Sequence, residues 1–230
     1  MASFSKHGAR CCCKIAWVLL HLLFLAFVLA FKQQPSSTQR AGAEIHIEKL
    51  VFNKSNTVDE YELNISYPRI RYPLAEINHN VNVDIQRIMV LAITDFTEKV
   101  KKNKELNNKG GFSSLTLDYK VFFKQIDILS IKFFKQTLFG GSEKPLFVVL
   151  SYNVDLRTGK VLKMSDFFYM DAESEKLILN LIKKHNDQRC KFRTEHIFNN
   201  FCFDSEGIIF SFDDISNTSK SCYTEVVVPW

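Results

Sequence analysis

The stretch that decides the fold is Ser151-Tyr152-Asn153-Val154-Asp155-Leu156-Arg157-Thr158-Gly159-Lys160-Val161-Leu162-Lys163-Met164-Ser165-Asp166-Phe167-Phe168. It reads as a strand, a tight turn, a second strand and an acidic-aromatic corner. Asp155 can bond the backbone two residues on, and Gly159 supplies the positive φ that reverses the chain before Val161. Asn153, Asp155, Thr158 and Gly159 are therefore the turn signature of a hairpin.

The pattern extends in both directions from that hairpin. Upstream, Gly140-Gly141 turns the chain into Pro145 to Asp155, where Leu146-Phe147-Val148-Val149-Leu150 is apolar on both faces and predicts a central strand. Before it, Leu115, Leu117, Tyr119, Val121 and Phe123 alternate on one face of a strand, and Ile126, Ile128, Ser130, Lys132 and Phe134 outline a noisier one. Leu74, Ile77, Val81, Ile85, Ile88, Ala92, Phe96 and Val100 recur every three or four residues, an apolar stripe along a helix of about seven turns. Ile45 and Ile47, then Leu63, Ile65 and Tyr67, predict two strands ahead of that helix. Downstream, Leu177, Ile178, Leu181 and Ile182 mark a helix over Ala172 to Lys184. A hairpin of Asn200–Phe203 and Gly207–Phe212 follows, then a strand over Thr224 to Val228. This order predicts an α+β fold, a mostly antiparallel sheet with one long and one shorter helix packed on it.

A different physics governs the N-terminus. Ile15 to Phe31 carries no charge over 17 residues, near the lower limit for spanning about 30 Å of hydrocarbon. Lys6, Arg10 and Lys14 precede it without an acid, so residues 1–14 are expected in the cytoplasm and everything after residue 31 outside it. The run reads as a single transmembrane signal-anchor, with cleavage after Ala30 or Ala43 as the alternative. Residues 32–43 are a polar linker, and the folded part starts near Glu44. Taking those three cations from the 30 basic residues leaves 27 against 25 acids, a balance of about +2 that argues against nucleic acid as a partner.

Candidate chemistry is sparse. His185, Cys190, His196 and Cys202 superficially resemble a zinc series, but their spacing lacks the close pairs of zinc sites. His46 and His79 are isolated and read as solvated. Asp155 and Asp166 fall where turns and helix ends use a carboxylate locally. No nucleophile elbow, phosphate-cradling loop or His-Glu-x-x-His helix occurs, so no catalytic residue, metal ligand or cofactor is assigned. Most of the 21 phenylalanines fall on alternating strand positions and read as core. Cys11, Cys12 and Cys13 abut the apolar run on the side where thiols stay reduced, whereas Cys190, Cys202 and Cys222 are exported and allow one internal disulfide at most.

Several landmarks together resemble one extracytoplasmic family. Asn153-Val154-Asp155-Leu156-Arg157-Thr158-Gly159-Lys160 followed by Asp166-Phe167-Phe168 is similar to its "Asn-x-Asp-Leu-x-Thr-Gly-Lys … Asp-Leu-Phe" signature. Tyr67-Pro68 with Ile77-Asn78, the Ser130-Ile131 strand and Phe139-Gly140-Gly141 match its other landmarks in order. The family is the PdaC-type domain with the C-terminal domain shared by the peptidoglycan deacetylase PdaC and the anti-sigma factor RsiV. The likeness covers about Tyr61 to Val228, and it divides the exported part into a PdaC-like half, residues 44–142, and an RsiV-like half, residues 143–230. The chain departs from the pattern at Ser142-Glu143 and over Asp214 to Cys222.

The resemblance implies a non-catalytic, membrane-anchored extracytoplasmic binding domain, whose partner would be the cell wall or a wall-directed protein such as lysozyme. A wall-glycan hydrolase or deacetylase accessory is the alternative. The family pattern also brings Cys222 alongside the strand of Cys202, which favours a Cys202–Cys222 disulfide over a bridge from Cys190.

Overall fold

A computed structural model describes residues 45–107, 111–124, 127–169, 171–185, 198–212 and 224–229. The expected membrane segment, its basic flank and the linker lie outside these residues; among the described residues no helix is long and apolar enough to cross a membrane.

Two strands open the fold, β1 (His46–Asn56) and β2 (Tyr61–Arg71), followed by helix α1 (Ala75–Asn107), β3 (Ser113–Lys124), β4 (Ile128–Leu138), β5 (Leu146–Asp155) and β6 (Lys160–Val161). A short 3-10 turn at Met164–Asp166, helix α2 (Ala172–His185), β7 (Phe201–Phe203), β8 (Gly207–Phe212) and β9 (Thr224–Pro229) complete it. The expected α+β fold with two helices is present, but its strands form two sheets. One is β1-β2-β3-β4-β5-β6 and the other β7-β8-β9. Every pairing is antiparallel except β2 with β3, which α1 joins as a parallel crossover.

The two sheets make a layered structure. On one face of the first sheet Leu63, Ile65, Leu115, Leu117, Leu129, Ile131, Phe133 and Val154 pack against Ile77, Val81, Ile85, Phe96 and Val100 of α1. Asn82 on α1 fixes the docking angle: its Oδ1 accepts from Ile70 N at 2.8 Å and its Nδ2 donates to Ile70 O at 2.8 Å. The second core joins Phe201, Phe203, Ile208, Phe210 and Val226 to Ile178 and Ile182 of α2 and to Met164. Between the sheets lie Phe122, Cys202 and Ile209.

The expectation of a central β5 needs correction, since β3 and β4 hold the middle of the sheet and β5 is flanked by the two-residue β6. Its apolar character on both faces has another cause. Tyr152 and Val154 face the α1 core while Asn153 faces the second sheet, and Leu146 and Phe147 at its start are exposed.

Candidate functional site

The turn signature folds as a hairpin and joins three layers. Asp155 O accepts from Gly159 N at 2.7 Å, and Val154 and Asp155 pair with Val161 and Lys160. Gly159 has φ +73, the left-handed region that favours glycine. Asp155 Oδ1 accepts from Arg157 N at 2.8 Å, and Arg157 Nη2 donates to Oδ2 at 3.1 Å. Partial burial pushes the Asp155 carboxyl up, but the hydrogen bonds and charge of Arg157, with Thr158, outweigh it and hold the group below the ordinary carboxylate value. Thr158 Oγ1 accepts from Lys160 N at 3.2 Å. Asn153, buried, donates through Nδ2 to Phe201 O of β7 at 2.8 Å. Buried Leu156 belongs to the α1 core. The signature is thus a structural junction.

Asn153 opens onto a polar seam between the sheets. Ser130 Oγ accepts from Phe203 N at 3.1 Å, and the Cys202 thiol lies 3.8 Å from Ser151 Oγ. The side chain of Lys132 is 0% exposed; its ammonium sits 2.5 Å from Glu225 Oε1 of β9 and 5.2 Å from the centroid of the Phe122 ring. Asn153 Oδ1 and Ser211 Oγ are buried without a hydrogen-bond partner. The buried ammonium and the carboxylate that clamps it tie β4 of the first sheet to β9 of the second, so this seam holds the layers together.

The electrostatics agree. Burial pushes the Cys202 thiol up to about 11, against the opposing pull of Lys132. Burial and then Asp84, 3.2 Å from its hydroxyl, push the Tyr152 phenol up. Lys160 and Lys163 N hold Asp166 down, the latter donating at 2.8 Å to Oδ2. Among the described residues, each group whose pKa departs from its ordinary value moves away from neutrality.

The surface feature of the signature is its corner. Phe167 and Phe168 are 40% and 38% exposed and Tyr169 is 84% exposed, three consecutive aromatics held out by the 3-10 turn that Phe167 N and Phe168 N close onto Met164 O. The Phe167 ring packs 4.6 Å from that of Phe203, which fixes the corner to the second core. Exposed Leu177 lies on α2, the helix that follows, and exposed Val161 on β6.

Sequence reasoning found the hairpin and its four residues. It missed Lys132 and Glu225, whose one signal was a lysine inside the apolar run Ile131 to Phe134. The expected disulfide cannot be placed: Cys202 is buried in β7, whereas Cys222 and Cys190 lie outside the described residues. The His185–Cys202 series likewise falls mostly outside them. Among the described residues no group of three metal-ligating side chains gathers.

Comparison with known proteins adds the fold. Neither a family model nor a curated protein matches the chain. Solved structures do, among them the crystal structures of a member of the DUF3298 family from Bacteroides fragilis, with a TM-score of 0.55 at 14% identity, and of a DUF3298 family protein from Pseudomonas aeruginosa, with a TM-score of 0.52 at 15% identity. Each comparison covers 81% of this chain and 91% of the other. The chain therefore has a DUF3298-like domain fold.

Proposed function

We propose that this protein is a non-catalytic extracytoplasmic binding domain, held to the membrane by residues 15–31 with its N-terminus in the cytoplasm. Its partner is the cell wall or a wall-directed protein such as lysozyme. The observation that carries the reading is the exposed Phe167-Phe168-Tyr169 corner. Contiguous aromatics on a rigid turn suit an interface, where large side chains of low conformational entropy supply most of the affinity. The directions of the pKa shifts favour binding over turnover for the same reason: Asp155 and Asp166 are engaged by Arg157, Lys160 and the backbone.

The test is affinity capture with the full-length chain from a wall extract and from purified lysozyme, beside a Phe168→Ser/Tyr169→Ser variant. Retention by the native chain and loss of at least about tenfold in affinity by the variant is expected if the corner is an interface hot spot. Equal retention of both proteins removes the corner from the reading. The second reading, a glycan hydrolase or deacetylase accessory, requires activity on peptidoglycan fragments that disappears with Asp155→Ala or Asp166→Ala.

A further inference from the structure

The first sheet ends on one side in an unusual edge. β1 pairs with β2 over all eleven of its residues without a bulge, and no strand lies on its outer side among the described residues. It contains no proline, and Val51 and Phe52 are 60% and 40% exposed. Natural sheets blunt such edges with prolines, bulges, very short strands or charged side chains, because an unbroken edge presents free backbone donors and acceptors to any other strand. β1 has only the charges, Glu48, Lys49 and Lys54, and a partner strand of matching charge turns these from a barrier into a selector. The opposite end of this sheet is blunted instead by the two-residue β6.

The side chains of β1 show what fits the edge. Glu48, Leu50, Phe52 and Lys54 alternate onto one face. This quartet is complementary to itself when read backwards. If two copies of β1 run antiparallel with Val51 opposite Val51, then Glu48 opposes Lys54 of the second copy, Leu50 opposes its Phe52, and both relations repeat across the two-fold axis. Moving the register by one residue in one direction sets Lys49 against Lys54; in the other it sets Lys54 against Ile47. Shifts of two residues leave no Glu–Lys pair at all. Glu48 is preorganised by Arg71 on β2, 3.1 Å from its Oε2, and Lys54 has no ion pair among the described residues.

We infer that β1 is a homodimer interface, in which a second copy of this chain extends the sheet antiparallel to β1 in the Val51-centred register. The charges that select this register also provide its test. Glu48→Lys places two lysine pairs across the axis and Lys54→Glu places two glutamate pairs, so each variant repels its own copies. Mixed together, the two variants restore both attractive pairs, as does the double variant E48K/K54E within one chain.

The experiment is sedimentation equilibrium of the full-length chain in detergent at about 0.1 mM, a concentration suited to an interface smaller than the standard size. The native chain should show twice its mass of 26.7 kDa. Each single variant should dissociate about tenfold or more readily. The equimolar mixture and the double variant should regain the native dimer. A native monomer, a dimer indifferent to both single variants, or a mixture that stays monomeric overturns the inference.

Discussion

Removing Glu225 should damage the fold far more than removing Lys132, although the two form one ion pair. Lys132 is completely buried between the sheets, whereas the Glu225 side chain is 36% exposed at the end of the seam. In Glu225→Gln the ammonium keeps only a neutral carbonyl oxygen and the face of Phe122, so the cost is that of an uncompensated buried charge, about 3 kcal/mol. In Lys132→Met the aliphatic stem is replaced at similar volume and the Glu225 carboxylate, 36% exposed, keeps its access to water, which limits the cost to about 1 kcal/mol. The double variant loses both charges and should fall within about 1 kcal/mol of the native protein, leaving a coupling energy of about 3 kcal/mol or more. Denaturant unfolding of residues 45–230, followed by circular dichroism, reads all four values. Equal costs for the two single variants, or a double variant equal to their sum, would refute the assignment of the pair as a buried clamp between layers.

Other positions give independent tests. Gly159→Val should destabilise the domain by about 1–3 kcal/mol through its positive φ, since an added Cβ would make only ordinary contact with Ile77 at 3.5 Å; an unchanged unfolding midpoint counts against the hairpin. Gly207→Ala would bring a Cβ within 2.2 Å of Val228 O and should separate β8 from β9, seen as faster amide exchange in both strands. Asp95, Asp155, Asp166 and Asp171 all have lowered pKa values in the fold, so the stability they add is present above the unfolded value of 3.8 and is lost as pH falls through the folded values. An acid unfolding transition below about pH 4 is expected, and Asp155→Asn should flatten it. Cys202, with its thiol pushed up to about 11, should resist alkylation at pH 8 in the native protein and react on unfolding; mass spectrometry distinguishes the two.

Local signals in the chain carried the elements; long-range ones were silent. Gly159 and Asp155 announce their hairpin because turn chemistry acts within a few residues, and the stripe from Ile77 to Val100 announces α1 because a helix buries one face. That helix extends on to Asn107, past the end of the apolar stripe, and there the legible signal is charge: Lys101, Lys102 and Lys104 suit the C-terminal end of a helix dipole, and Gly110-Gly111 follows as a stop. β4 misled for the opposite reason. Its even residues, Ser130 and Lys132 among them, face the second sheet, while Leu129, Ile131 and Phe133 face α1, and a strand buried on both sides has no single apolar face to read. The parallel register of β2 with β3, and the meeting of Lys132 with a glutamate 93 residues away, depend on which surfaces pack together, and no short-range pattern encodes that.

Binding without turnover is the central claim, and one tube can test it. The full-length chain in detergent is incubated with insoluble peptidoglycan, then sedimented; bound protein is measured in the pellet, and released sugar, acetate and peptide fragments are measured in the supernatant. The account predicts protein in the pellet, reduced by Phe168→Ser/Tyr169→Ser, with no fragments above the protein-free control. Fragments that accumulate with time and vanish with Asp155→Ala or Asp166→Ala would contradict it and make this protein an enzyme.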